Sequence, residues 1–339
     1  MKMRGFIKMI YLGAILMTAS ACERRPLEDQ YFDSALIPVK IDWNYSGIPV
    51  TDNSGSGYVH RVSLRFFPKD GSPAFDRYME TNVIEGKIEV PVGEYSVIVF
   101  NESVHDIYWE DAIFFTDINN YSAFAANIVA DNVSNYPLYT PLSGENMIVE
   151  PYMLASWSID NFSVTSDMVW QTRWHSGTPT PQSNAMINAL SNIVMRQLTY
   201  TVTVKAWVEN LCSAQLIQCA ARGFAQKVYM ASAQTTQTPA THLFLLNGRR
   251  WDDASQINGS VEKGFLSFGR LPQPSLYWLN MDIISTTGEL YNQPLLYDVS
   301  NQVLNQTLRN ININININLP YVEGGIYVGD WDDETIVLK

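Results

Sequence analysis

From Ile311 to Asn318 the chain alternates isoleucine and asparagine without a break. Successive side chains of an extended strand point to opposite faces, so this stretch predicts a strand with one isoleucine face and one asparagine face. A helix would scatter both sets around its axis, and asparagine is a poor helix former. The same period of two appears near the start, where Ile37, Val39, Ile41 and Trp43 alternate with polar or small residues. It returns at Leu198, Tyr200, Val202 and Val204, which all fall on one side. Further strands are predicted within 58–71, ending in a turn at Asp70–Gly71, and at 87–90 and 94–100 around a tight turn at Pro91-Val92-Gly93.

Short apolar runs then recur through 112–164 and again through 213–300, with turn residues between them, at intervals of roughly 10–15 residues. A stretch dense in Pro, Gly, Ser and Thr at 174–183 separates the two series. After it, Met186, Leu190, Ile193 and Val194 have helical spacing and predict one amphipathic helix over 184–195. So many strands with so little helix predict an all-β protein, with two antiparallel β-sandwich domains in tandem. The expected domains are 36–174 and 196–339, joined by a linker with a short helix at 175–195. No fixed-period repeat appears, which argues against a solenoid or propeller.

Residues 1–21 have the parts of an export signal: Lys2, Arg4 and Lys8, then an apolar core at 9–17, then Ala19-Ser20-Ala21. That apolar core is too short to span a bilayer. Small residues running into Cys22 resemble the lipobox of bacterial lipoproteins, although leucine is commoner where Ala19 stands. Lipidation of Cys22 would place the chain on the outer membrane through its acyl chains, with 22–35 as a polar, flexible tether.

The net charge of −12 argues against nucleic acid or an anionic lipid surface as partner. Charged residues are only 17% of the chain, so Asn, Ser and Thr do much of the solvating, as suits an extracytoplasmic β protein. Beyond Cys22 there are two cysteines, Cys212 and Cys219. In an oxidising compartment they could bridge a short loop; equally, they could be two buried thiols, and spacing does not decide.

Catalytic chemistry has little to stand on. His60, His105, His175 and His242 are dispersed, and no zinc-protease, nucleophile-elbow or phosphate-loop motif is present. Acidic residues gather at Asp252–Asp253 and at Asp330, Asp332, Asp333 and Glu334, without the spacing of an EF-hand loop, and read as solvated turns. The expectation is therefore no enzyme, no metal and no cofactor. Trp170 and Trp174, with Tyr277 and Trp278, could form aromatic platforms for sugar rings; the bland reading is core aromatics.

Three stretches together carry a resemblance: the signal running into "CERRPLEDQYFDSALIPVKIDWNYSG", then "PVGEYSVIVFN", then "LTYTVTVKAWVENL". The closing order "LYDVSNQV", "NININININLP" and "GGIYVGDW" completes it. The chain resembles the fimbrillin-like lipoproteins of Bacteroidetes, in a branch of unknown function related to fimbrial anchor and accessory subunits. The resemblance implies transthyretin-like sandwiches, a lipid anchor at the cell surface, and assembly with other fimbrial subunits by strand exchange. It also implies proteolysis after a basic residue; Arg61 is the candidate, because a cut there would detach the strand at 36–45. The C-terminal stretch with Ile326, Val328, Ile336 and Leu338, preceded by Gly324–Gly325, is the candidate donor strand. The isoleucine strand is instead expected to pair inside its own domain, with its neighbours at 296–303 and 326–331. The alternative to a fimbrial role is a surface glycan-binding lipoprotein of a polysaccharide-uptake system, with host or microbial glycans as partners.

Overall fold

The computed structural model describes residues 33–44, 62–79, 85–101, 104, 112–174, 180–273, 275–291, 295–308 and 310–322. Over these the chain is almost wholly β. The first strands are β1 (Ser34–Asp42), β2 (Val62–Pro68), β3 (Phe75–Met79), β4 (Glu85–Pro91), β5 (Gly93–Phe100), β6 (Ile113–Thr116), β7 (Ala125–Ile128), β8 (Met147–Ile148) and β9 (Ala155–Val164). Two helices follow, α1 (Ser166–Trp174) and α2 (Pro181–Ile187), then β10 (Ile193–Val194) and β11 (Arg196–Gln197). The second series is β12 (Tyr200–Glu209), β13 (Ala214–Ala225), β14 (Lys227–Tyr229), β15 (Pro239–Leu245), β16 (Gly248–Trp251) and β17 (Gly259–Ser267). It ends with β18 (Trp278–Ser285), β19 (Leu295–Asp298), the short helix α3 (Ser300–Leu304) and β20 (Asn310–Asn318).

The sheets form two β-sandwiches in tandem. In the first, the sheet β10-β1-β4 faces β11-β9-β5-β2-β3. Ile37, Val39, Ile41, Leu64, Phe66, Val97, Val99 and Phe162 fill the space between them. In the second, β16-β17-β12-β20 faces β19-β18-β13-β15-β8. Its core takes Val202, Val204, Ala206 and Val208 from β12 and the four isoleucines from β20. Pairing is mostly antiparallel, with parallel exceptions at β1–β10, β8–β15 and β12–β20.

β2 is buried along almost its whole length, since its sheet is covered on both faces. Leu64 and Phe66 point into the first sandwich, while Phe67 belongs to a third cluster with Ile98, Phe100, Phe124 and Ile128. That cluster lies under a small sheet, β14-β7-β6, and also takes in Leu154, Leu198 and Phe268. Arg65, 2% exposed, crosses this doubly covered layer. Its Nη1 pairs with Asp76 at 2.6 Å, its Nε donates to the Ile118 carbonyl at 2.8 Å, and its guanidinium faces the Phe124 ring. A buried charge is tolerable only with such partners.

Several local expectations are corrected. The predicted helix over 184–195 is instead α2, which starts earlier at a Thr180–Ser183 capping box and ends before Asn188. Ile193 and Val194 form β10, because they find ladder partners in Ile41 and Asp42. α2, Leu190, Ile193 and Met195 all contribute to the first sandwich rather than forming a free linker. The segment at 91–93 does not fold a hairpin back on itself, since β4 pairs with β1 while β5 pairs with β2 and β9. Gly93 keeps a negative φ; it is needed because a Cβ would sit 2.7 Å from the Tyr95 hydroxyl, which donates to the Pro91 carbonyl. By contrast Gly71 does take a positive φ of 85° in the β2–β3 turn. Of the two neighbours expected for β20, 296–298 pairs with β18 and 300–304 is helical, while 326–331 lies outside the described residues; β20 joins β12 across nine residues.

Truncating one of the buried β20 knobs measures this arrangement. Ile313→Ala should cost about 2–5 kcal/mol in chemical denaturation, through lost burial plus a cavity. Asn312→Ala, on the exposed face, should change stability by less than about 0.5 kcal/mol.

Candidate functional site

A β protein whose exposed chemistry lies at strand edges is understood by asking where each edge's backbone groups go. Among the described residues β20 is the last strand of its sheet, so alternate backbone groups face away from β12. Gln302 and Gln306, in and just beyond α3, close that edge like a strand made of side chains. The Asn314 N–H donates to Gln302 Oε1 at 2.7 Å, and Gln302 Nε2 donates back to the Asn314 carbonyl at 2.9 Å. Gln306 repeats the exchange with Asn312, at 2.8 and 2.6 Å. Tyr297 adds its hydroxyl to the Asn316 carbonyl at 3.3 Å. Glutamines four apart on a helical turn lie on one face, and strand groups two apart face one way, so the two periods match.

β1 is built differently. It lies between β4, with which it pairs over seven residues, and β10, with which it pairs over only two. The rest of that second flank is held by individual groups. The Leu36 N–H donates to Thr172 Oγ1 at 3.0 Å, Arg173 Nε donates to the Ser34 carbonyl at 2.7 Å, and the Lys40 N–H donates to the Leu190 carbonyl at 2.9 Å. Arg173 also pairs with Glu89 of β4 at 2.8 Å. Pro38, in mid-strand, supplies no N–H to that flank. Beside it lies a shallow hollow of about 430 Å³, lined by Lys40, Glu85, Lys87 and Ser191 among others. Ala35, Ile37, Val39 and Ile41 are nonetheless fully buried. β1 therefore combines a deep apolar face with a lightly tied flank.

Titratable groups serve structure. His242 is buried against Phe265, with ring centroids 4.8 Å apart, and its Nε2 has no partner. Burial lowers its pKa to about 3, so it is neutral in the fold. Glu145 accepts from Tyr139 at 2.7 Å and Thr241 at 2.6 Å and pairs with Arg222 at 2.9 Å. Burial alone would raise its carboxyl, but these partners and the Leu142 N–H hold it below the usual value. The cluster pins the segment around Tyr139 onto β13 and β15. Among the described residues, no group of three or more His, Cys, Asp or Glu is placed to hold a metal ion.

The residues singled out in the sequence fall unevenly. Cys22, Arg61, His60, His105 and His175 lie outside the described residues, as do Ile326, Val328, Ile336, Leu338 and the acidic group at 330–334. Cys212 and Cys219 are free thiols, Cys212 in a turn and Cys219 buried in β13, where burial raises its pKa. Asp253 is engaged in a local turn with Ser255. The proposed aromatics do not converge. Trp170 is 50% exposed on α1, in the same helix as Trp174, whereas Tyr277 is wholly buried in the second core beside the part-buried Trp278. One exposed tryptophan was passed over: Trp207, in the outward phase of β12, hidden in a run read only for its buried side.

These features define the class: paired, mostly antiparallel sandwiches with managed edges. The chain belongs to the family described as "Domain of unknown function (DUF5119)", whose model matches residues 21–245. It is 35% identical over 104 residues to the "Putative fimbrium anchoring subunit Fim4B" of Bacteroides ovatus, a stretch covering 30% of this chain and 27% of that protein. Its fold is similar to that of a "putative adhesin" from Bacteroides ovatus, with a TM-score of 0.56 at 17% identity, over 89% of this chain and 98% of the other. A weaker likeness, TM-score 0.41 at 13% identity, covers 84% of this chain and 90% of the fimbrial anchor protein Mfa2 from Porphyromonas gingivalis.

Removing the glutamine cap should tell its worth. Gln302→Ala with Gln306→Ala leaves four backbone groups to water, so a loss of about 1–3 kcal/mol in urea denaturation is expected. The opened edge should also raise concentration-dependent association on size exclusion. His242 sets a pH dependence. Because only neutral imidazole fits, its contribution is complete above the ordinary pKa of 6.5 and declines as pH falls toward about 3. His242→Leu should flatten the fall of stability between pH 6 and 4 by on the order of 1–3 kcal/mol.

Proposed function

We propose that this protein is a lipid-anchored accessory or anchor subunit of a Bacteroidetes surface fimbria, joined to other subunits by β-strand exchange. Cys22 carries the acyl chains, the outer membrane is its attachment, and it acts by binding rather than by catalysis. The observation that carries the reading is β1: an N-terminal strand with four buried knobs, held along much of one flank by single side chains. Loss of such a strand would leave a groove between β4 and β10, lined by the first core. An extended segment with alternating apolar residues, such as the one carrying Ile326, Val328, Ile336 and Leu338 in a neighbouring subunit, is the matching occupant. Arg61 follows β1 and precedes β2, so cleavage there would free β1 without cutting the rest of the sandwich. An anchor keeps β1 and its lipid; a polymerising subunit loses both. The partial likeness to a fimbrium anchoring subunit favours the anchor.

The test is made on the native protein in its membrane. Cys22→Ser should move it from the membrane fraction to the soluble fraction, and mass spectrometry of the wild type should find residue 22 acylated. Removal of residues 324–339 should leave membrane attachment intact and abolish co-purification with other fimbrial subunits. An unmodified Cys22, or unchanged co-purification, would refute the corresponding half of the reading.

A further inference from the structure

The outer face of the sheet β16-β17-β12-β20 is a built surface that edge pairing does not use. Directly paired residues share a face, so Thr203, Lys205 and Trp207 of β12 stand in rows with Asn312, Asn314 and Asn316 of β20. On the other side the same rows continue into Gly264, Glu262 and Ser260 of β17, and into Arg250 of β16. The result is a flat shelf about 13 Å long from Thr203 to Trp207.

Three features of this shelf lack a structural reason. The side-chain amides of Asn312, Asn314 and Asn316 make no hydrogen bond to any described residue, although the outward backbone groups of Asn312 and Asn314 and the Asn316 carbonyl are engaged. Elsewhere Asn101, Asn127 and Asn210 spend their amides on the fold. Asparagine is depleted in strands, so a face that needed only to be wet would be better made of threonine. Trp207 is 42% exposed, with the Lys205 ammonium 4.8 Å from its ring centre, which steadies the indole without burying it. Gly264 sits in mid-strand, where glycine is costly, yet a Cβ there would meet nothing closer than 3.8 Å. Gly248 and Gly259, in the same sheet, are different: a Cβ at either would strike backbone oxygen. A glycine that its own fold does not require marks a place where something else approaches closely.

We propose that this shelf binds an uncharged polysaccharide, with Trp207 stacking on a sugar ring, the three asparagine amides pairing with hydroxyl groups, and Gly264 leaving room for the next ring. Each amide offers both donors and acceptors, as a hydroxyl partner requires. Lys205 and Arg250 are balanced by Glu262 and Glu209 at the same face, so the shelf presents no net charge to select an acidic polymer. A protein partner would call for a more apolar centre than one indole among amides. The site is independent of whether the chain is a fimbrial subunit.

Affinity gel electrophoresis of the full mature chain in detergent tests this, with a β-glucan, a mannan and a xylan as uncharged probes and polygalacturonate and heparin as charged ones. At least one uncharged polymer should retard the wild type. Trp207→Ala should weaken that binding about tenfold, and Gly264→Val, which fills the notch, by a similar factor. Trp170→Ala should bind as the wild type does, and all three variants should melt within about 2 °C of it. Retardation by charged polymers alone, by no uncharged polymer, or equally for Trp207→Ala would overturn the proposal. So would self-association of the wild type that Asn314→Ala abolishes, since the amide rows would then be pairing with a second copy.

Discussion

Backbone hydrogen bonding at the ends of sheets is the constraint from which most of this molecule follows. An edge strand exposes donors and acceptors that any other extended chain can satisfy, so each edge must be closed, occupied or put to use. Here the two functionally telling strands are handled in opposite ways. β20 is sealed by glutamine amides that imitate a neighbouring strand group for group. β1 sits inside its sheet, but its flank toward α1 is tied by separate side chains with a proline in the middle. Sealing costs little to make and is hard to displace, because each glutamine both donates and accepts. A flank of single bonds gives way one at a time.

That difference rests on a firm interior. The sheet containing β2 and β5 is buried on both faces, and the charge that crosses it, Arg65, is neutralised by Asp76 and covered by aromatic rings. Phe67, Phe100, Phe115, Tyr121 and Phe124 pack in the layer beyond, mostly edge-on or tilted, with Phe115 and Phe124 stacked. This third layer gathers residues from both series of strands, among them Ile98, Leu198 and Phe268. The one described histidine is sealed in the second core, and Glu145 is committed to bracing a loop.

The surface divides along the same lines. In the proposed roles, edges pair and faces meet solvent or ligands. The shelf around Trp207 lies on a face whose opposite side is the second core, so ligand contact there would place no demand on the sandwich. On the two proposals, attachment through strands and recognition through a face would coexist in one chain.

Much of this could be read along the chain, and the reason is period. Alternation at 37–43, 198–204 and 311–317 identified strands and their buried sides, since burial on one face imposes a repeat of two whatever the partner, although Leu198 precedes β12 and goes to the third cluster rather than to the core of Val202 and Val204. What alternation leaves open is the partner. It did not say that β20 would lie parallel to a strand about a hundred residues earlier, or that 300–304 would turn helical to cap it. Nor did it separate the helix at 181–187 from the strand at 193–194, because short apolar runs suit either until a neighbour supplies a ladder. Trp207 stood in plain view, but its meaning depends on residues from β17 and β20 that are adjacent only when the sheet is assembled. Along the long alternating runs the sequence alone decided that the chain is extended and which side is buried, because those are local properties of spacing. Only the tertiary structure decided which edges are closed and which faces combine, because those depend on hydrogen bonds between segments far apart in the chain.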